Sequence, residues 1–115
     1  MAKIRVFVIS VHIMFSRGIE SLLFQETDIQ LVGHALNLKE AIEPIRAFQP
    51  DVIIIDSDSV GAEIEFIFNL KPDISIINLN LKNNNLYVYR ASQRVTRNVS
   101  DLLEAIKQDF PSELD

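Results

Sequence analysis

Short apolar runs alternate along this chain with longer amphipathic stretches. Ile4 to Ile9 is almost continuously apolar, which suits a strand of a parallel sheet buried on both faces. Phe15, Ile19, Leu22 and Leu23 then recur at helical spacing, so one stripe from about Ile13 to Phe24 predicts a packing helix. Ile29 to His34 reads as a weaker strand, placed near an edge by its polar interruptions. Asn37, followed three residues later by Glu40, resembles a capping box and opens a second helix. Its buried stripe is Leu38, Ala41, Ile42, Ile45 and Phe48, and Pro44 inside it predicts a kink. The stretch Asp51 to Ser59 follows, in which Val52 to Ile55 are successive β-branched residues and predict a buried central strand. That strand runs straight into Asp56 and Asp58. Ligands and chemistry gather outside the carboxyl ends of strands in open α/β sheets, so these two carboxylates mark the edge to watch.

Beyond Asp58 the chain turns at Gly61, and Ile64, Ile67 and Phe68 mark a third helix that closes at Lys71-Pro72. Ile74 to Leu81 reads as a fourth strand. Strand and helix thus alternate three times before this strand, the pattern of a doubly wound α/β sheet with helices on both faces. The alternation then breaks, because only Lys82, Asn83, Asn84 and Asn85 precede the strand-like Leu86 to Arg90. A parallel crossover needs about a dozen residues or more, whereas an Asn-rich connection this short suits a hairpin. A three-layer sandwich is expected, with a mostly parallel five-stranded sheet whose last strand is antiparallel, and with no helix between the last two strands. A rival reading makes Leu81 to Ala91 an irregular linker and puts a parallel strand near Gln93 to Thr96; its weakness is that Ser92-Gln93-Arg94 has nothing to bury. The final helix starts at Asn98 and runs on Val99, Leu102, Leu103, Ile106 and Phe110 until Pro111 stops it, which leaves residues 111–115 as a tail or linker start.

Composition narrows the class. A chain of 115 residues is expected to be one domain, 1–115, with a real core. Its net charge of −5 argues against unaided binding to a phosphate backbone, so no direct nucleic-acid partner is expected. Without cysteine there is no disulfide, no thiolate metal site and no thiol nucleophile, which suits a reducing compartment. Lys3 and Arg5 before an apolar run resemble a signal segment, but Ser10 and His12 interrupt it and no cleavage site follows. No apolar run approaches a membrane span, so a soluble cytoplasmic protein with no membrane contact is expected.

Four segments, IRVFVISVHIMFSRGIESLL, TDIQLVGHALNLKEAI, QPDVIIIDSDSVG and DLLEAI, occur in an order and spacing that resemble the receiver domain of bacterial two-component response regulators. The likeness covers roughly Lys3 to Phe68 and the last helix, and it implies a flavodoxin-like fold. Receivers accept a phosphoryl group on an aspartate ending the third strand, assisted by Mg²⁺ on an acidic pair after the first strand. A Thr or Ser ends their fourth strand and a Lys ends the fifth. By this resemblance Asp56 falls on the phosphoacceptor position. The acidic pair falls on Ser10 and Val11, Asn80 replaces the Thr or Ser, and Arg90, Arg94 and Val95 compete for the lysine position. His12 matches a His that often follows the acidic pair.

These departures matter chemically. An aspartyl phosphate concentrates negative charge, so its formation needs a cation and fixed donors. Mg²⁺ takes octahedral oxygen ligands, usually including carboxylates, yet Ser10 offers one neutral oxygen and Val11 none. Asp58, two residues along an exiting loop, is expected to face solvent. A vestigial pocket is therefore expected around Ser10, Val11, Asp58 and Asn80, with Asp56 in place but inactive, no metal, no cofactor and no catalytic residue. Mg²⁺ enters only if Asp56 is still phosphorylated through an altered metal site, which is one alternative. Another is a small-ligand sensor that holds a metabolite near Ser10, Asp56 and Asn80.

Other motifs reduce to plainer roles. His12 and His34 are too scattered for a metal site and suit solvated or helix-end positions. Ser10 and His12 lack the sharp G-x-S-x-G turn of a hydrolase. Asn98-Val99-Ser100 fits a glycosylation sequon but reads as a helix cap. No phosphate-binding glycine loop follows Ile9. The missing helix is expected to leave apolar strand surface open around the hairpin, and such surface marks interfaces. Leu86, Tyr87, Tyr89 and Arg90, within the hairpin Ile77 to Arg90, are thus the candidates for contact with a protein partner or second copy. Arg90, Arg94 and Arg97 form a local basic cluster suited to an acidic partner. Taken together, a pseudo-receiver acting as a signalling or transcription-regulation interaction module, without phosphorylation, is the leading expectation.

Overall fold

Strands form where apolar runs leave no polar face, and helices where the apolar positions follow a 3.6-residue period. The computed structural model describes residues 3–56, 61–80, 82–90 and 93–108. In chain order they form β1 (Ile4–Ile9), α1 (Ile13–Phe24), β2 (Ile29–Ala35), α2 (Leu38–Phe48), β3 (Val52–Ile55), α3 (Gly61–Leu70), β4 (Ser75–Asn80), β5 (Asn85–Arg90), β6 (Gln93–Asn98), a 3-10 turn (Val99–Asp101) and α4 (Leu102–Gln108). The sheet order is β2-β1-β3-β4-β5-β6.

The first four strands are parallel, with β3 in the middle of the sheet as its buried VIII sequence predicts. Asp51 fixes the amino edge of this arrangement. Its Oδ2 accepts from the Arg5 N–H at 2.9 Å, its N–H donates to the Arg5 carbonyl at 2.8 Å, and its carbonyl accepts from Ser75 N–H at 3.1 Å. Three strands are thus registered at one carboxylate residue. Between β1 and β2 the register shifts, so that Val6 faces Leu31 but Phe7 faces Gly33. Gly33 makes room for the ring of Phe7, since a Cβ there would lie 3.0 Å from Phe7 Cε1.

The expected hairpin is present: β5 pairs antiparallel with β4, through a turn in which Asn84 adopts a left-handed φ of 59°. Asparagine tolerates that conformation better than most residues. The five strands expected all form, and Gln93–Asn98 adds a sixth, antiparallel to β5. Because two antiparallel steps restore direction, β6 runs with β1, β3 and β4. The hairpin reading and the rival parallel strand each capture one half of this arrangement. The sixth strand escaped the pattern because QRVTRN has no run of apolar residues to announce it.

Two cores flank the sheet. On one side Val6, Val8, Ile54, Ile77, Leu79, Leu86 and Val88 pack against Ile19 and Leu23 of α1 and Leu102 and Ile106 of α4. On the other, Phe7, Ile53, Ile55, Ile74 and Ile76 pack against Ala41 and Ile45 of α2 and Ile64 and Ile67 of α3. This is the three-layer, doubly wound sandwich expected from the alternation of strand and helix. Asn37 Oδ1 accepts from Glu40 N–H at 3.0 Å to cap α2, and Pro44 lies inside that helix without ending it. Asn98 Oδ1 accepts from Ser100 N–H at 2.9 Å, so the cap assigned to Asn98 forms, although a 3-10 turn precedes the α-helix proper. Lys107 joins α4 to the loop before β2, 2.9 Å from Glu26 and 3.5 Å from Asp28. The hydrogen bond to Glu26 chiefly holds the ammonium pKa above its ordinary value. Phe110, Pro111 and residues 112–115 lie outside the described residues.

The exposed apolar surface expected around the hairpin is not what the sheet presents. Strand alternation turns Leu86 and Val88 into the α1/α4 core, where Leu86 is fully buried. Leu86 is therefore a core residue and not a surface contact. The opposite face of the hairpin carries Asn78 and Asn80 opposite Tyr87 and Asn85, with both tyrosines half-buried. Large exposed apolar side chains lie elsewhere, among them Val11, Ile13, Met14 and Phe24.

Candidate functional site at the carboxyl edge of the sheet

The ends of β1, β3 and β4 bring Ser10, Asp56 and Asn80 to one edge of the sheet, as the topology requires. Ser10 continues the β1–β2 pairing through its N–H to the Ala35 carbonyl, at 3.0 Å, and it is buried. Its Oγ accepts from His12 N–H at 2.9 Å and lies 3.4 Å from the His12 carbonyl. The one oxygen that Ser10 offers is thus committed to the turn into α1. Val11 is 65% exposed and has no ligating atom.

His12 occupies the N-cap of α1 but makes no capping bond with its side chain. Instead its Nδ1 lies 3.0 Å from Asp56 Oδ2. A carboxylate only accepts, so this contact puts the hydrogen on Nδ1. The imidazole is 70% exposed and the carboxylate 13%, so the ring forms a lid between Asp56 and solvent. The helix-end position expected for His12 is observed; its partnership with Asp56 is what sequence reasoning missed. His12 lies three residues beyond β1 and Asp56 one beyond β3, on neighbouring strands, and such residues meet only once the register is known.

Asp56 borders two cavities. The smaller, about 130 Å³, includes Ser10, Val11 and Asn37 in its lining. The larger, about 480 Å³, is lined by His12, Met14, Phe15, Asp56, Leu79, Asn80 and Lys82. The single pocket expected around Ser10, Asp56 and Asn80 is therefore divided by the Asp56 side chain, with Ser10 on one side and Asn80 on the other. Asp58 lies outside the described residues.

Lys82 was not anticipated here. The tight β4–β5 turn carries it back to the carboxyl edge, where its N–H donates to Asn80 Oδ1 at 3.0 Å. Its signal in the sequence is its place two residues beyond Asn80, at the entry to a connection too short to lead away. The residues thought to compete for the lysine position lie elsewhere. Arg90 faces Ser75 at the far end of β4, Arg94 faces Tyr89, and Val95 faces Val88. At the carboxyl end of β6 stands Asn98, paired with Asn85.

Among the described residues, few oxygens at this edge are left uncommitted for a divalent cation of the Mg²⁺ type. Such an ion takes several oxygen ligands in octahedral array, whereas Asp56 Oδ2 is engaged by His12 and Ser10 Oγ by the backbone. Among the described residues no group of three or more His, Asp or Glu side chains comes together as a metal site would require. Nor is any described helix long and apolar enough to cross a membrane.

No protein-family model matches the chain. It is 31% identical over 121 residues to the response regulator protein VraR of Staphylococcus saprophyticus, an alignment covering 96% of this chain and 58% of that protein. The chain thus spans a little over half the length of this relative. Among solved structures, the RcsB response regulator of Salmonella typhimurium matches with a TM-score of 0.62 and 26% identity over 74% of this chain and 46% of that one. The signal receiver domain of the NarL response regulator from Mycobacterium tuberculosis matches with a TM-score of 0.55 and 27% identity, over 69% and 65% of the two chains. With Asp56 at the end of the central strand of a doubly wound sheet, and relatives of this kind, the chain is a response-regulator receiver domain.

Proposed function

We propose that this receiver is a pseudo-receiver: a signalling and transcription-regulation module that works by protein contact, without phosphoryl transfer to Asp56. The observation that carries this reading is the 3.0 Å contact between His12 Nδ1 and Asp56 Oδ2, at an edge where Ser10 and Val11 supply no carboxylate. An imidazole takes the place of the cation and fixed donors that phosphoryl transfer calls on. The RcsB structure is described in terms of DNA interaction. For this protein we assign any DNA contact to something other than this domain, whose net charge of −5 opposes a phosphate backbone.

The test is an amide NMR titration with Mg²⁺ and then beryllium trifluoride, a stand-in for the phosphoryl group on a carboxylate. Resonances of Asp56, Asn80 and Lys82 are expected to stay still at millimolar Mg²⁺. Saturable shifts at those residues would instead establish the alternative, a phosphorylatable Asp56 with an altered metal site. One observation favours that alternative: Lys82 lines the same cavity as Asp56 and adds a positive charge to it.

The contact itself we place on the open face and rim of the hairpin Ile77 to Arg90, through Tyr87, Tyr89 and Arg90. The half-buried tyrosines, with the half-buried Asn85 beside them, offer flat, amphipathic contact area, and aromatic residues dominate interface energetics. Tyr87→Ala is expected to weaken association with a second copy or partner about tenfold or more. A monomer at high concentration by analytical ultracentrifugation, with partner binding unchanged in Tyr87→Ala, would remove the hairpin from consideration.

A further inference from the structure

The two edges of the sheet are protected differently. At one, β2 carries an extra residue, because its pairing with β1 jumps from Leu31 to Gly33. A bulge of that kind is one of the devices that keep an edge strand from pairing with another chain. At the other, β6 pairs with β5 from Gln93 to Asn98 with no shift in register and no proline.

The register decides which backbone groups that open edge presents. Val99 N–H donates to the Asn84 carbonyl at 3.1 Å, and the β5–β6 pairing continues from there with Asn85 opposite Asn98. Opposed residues in an antiparallel pair alternate between exchanging both hydrogen bonds and exchanging none. The bonded pairs are therefore Leu86 with Arg97, Val88 with Val95 and Arg90 with Gln93. Arg94, Thr96 and Asn98 turn their N–H and C=O groups to the open side, where no further strand of the described residues lies. Thr96 is exposed as well. The edge is a template for one more strand.

Its charge selects the occupant. From Leu86 to Ser100 the charged residues are Arg90, Arg94 and Arg97, in a chain whose net charge is −5. A second copy fits poorly, since β6 paired with itself gathers Arg94 and Arg97 of both copies along one seam, and like charges across paired strands destabilise. An acidic segment brings the opposite sign.

We propose that β6 takes up an extended acidic segment of a protein partner by strand addition, with backbone bonds to Arg94, Thr96 and Asn98 and acidic residues spaced to match Arg94 and Arg97. The proposal goes beyond the protein-contact reading, because it names the partner's chemistry and a different element, and it holds whether or not Tyr87 makes a contact.

The probe is the peptide TVEVTEVT, blocked at both ends and used where it is monomeric, whose glutamates share the three-residue spacing of Arg94 and Arg97. Its counterparts are TVKVTKVT and the proline-broken TVEPPEVT. Wild type is expected to bind TVEVTEVT saturably in isothermal titration, about tenfold or more tighter than TVKVTKVT, and to show no measurable binding of TVEPPEVT. In hydrogen exchange, the Arg94 and Thr96 amides are expected to gain protection on binding, while those of Val95 and Arg97, already bonded to β5, change little. Thr96→Pro removes an outward N–H and leaves the β5 bonds in place, as edge strands tolerate. It is expected to lose about tenfold or more in affinity, with Thr96→Val within about threefold of wild type. Arg94→Glu with Arg97→Glu is expected to reverse the preference toward TVKVTKVT, a readout independent of how well Thr96→Pro folds. Absence of saturable binding, equal affinity for the two charged peptides, unchanged affinity in a folded Thr96→Pro, protection at β2 in place of β6, or self-association through β6 in place of peptide uptake would each overturn the proposal.

Discussion

Leu86→Asp is expected to leave no folded domain, whereas Tyr87→Asp, one position along the same strand, is expected to fold. Leu86 faces Leu79 across the β4–β5 pair, and both lie in the core that α1 and α4 cover. Removing a buried leucine side chain costs about 2–5 kcal/mol. Leaving an unpaired carboxylate in its place costs several more, unless the group takes up a proton and remains a buried polar acid. Set against a typical total stability of about 5–15 kcal/mol, the sum removes most or all of the folded population. Tyr87 points the other way, opposite Asn78, and its hydroxyl is within 3.2 Å of Asn83 Nδ2. Its replacement forfeits that bond and some cross-strand packing, about 1–2 kcal/mol. Far-UV circular dichroism with urea unfolding separates the two variants. Cooperative unfolding of Leu86→Asp near the wild-type midpoint would mean that β5 is not a core strand at all.

The same alternation shows how much of this molecule was legible beforehand. The strands Ile4–Ile9 and Val52–Ile55 could be read from apolar character alone, because a strand buried on both faces has no polar side to disguise it. The turn after Asn80 could be read from its length, since nothing but a hairpin closes so short a connection. Strand β6 could not, because QRVTRN carries neither an apolar run nor a clean alternation in the sequence, and only its pairing with β5 reveals it. The candidate site was legible in position and not in content. Asp56 and Asn80 were placed correctly at the carboxyl edge, since strand ends fix that edge. His12 against Asp56, and Lys82 in the cavity, depend on how two turns fold back over it, and turns carry little periodic signal. Leu86 was misread as a surface residue for a related reason: a missing helix suggests exposed apolar strands, but strand alternation turns Leu86 into the core and puts the half-buried Tyr87, opposite the buried Asn78, on the other face.

Restoring the acidic pair by Ser10→Asp with Val11→Asp is expected to create a response to Mg²⁺ that the wild type lacks. Val11 is 65% exposed, so a carboxylate there costs the fold little. Ser10 is buried, but its Oγ accepts from His12 N–H at 2.9 Å, and an aspartate oxygen can accept the same bond. With Asp56 beside them, three carboxylates would crowd one sheet edge. Without a cation their mutual repulsion lowers stability, and a divalent ion that binds only the folded form recovers it. At a hundredfold excess over its dissociation constant such an ion contributes about 2.7 kcal/mol. The melting temperature of the double variant is therefore expected to rise by several degrees in millimolar Mg²⁺, and that of the wild type to stay where it is. Adding His12→Ala should enlarge the response, because Asp56 Oδ2 then has no imidazole to accept from. If wild type and variant respond alike, Ser10 and Val11 are not what sets cation affinity at this edge. If neither the double variant nor its His12→Ala derivative responds although both are folded, the His12–Asp56 contact is not the obstacle, and the turn geometry around Ser10 must hold the carboxylates apart.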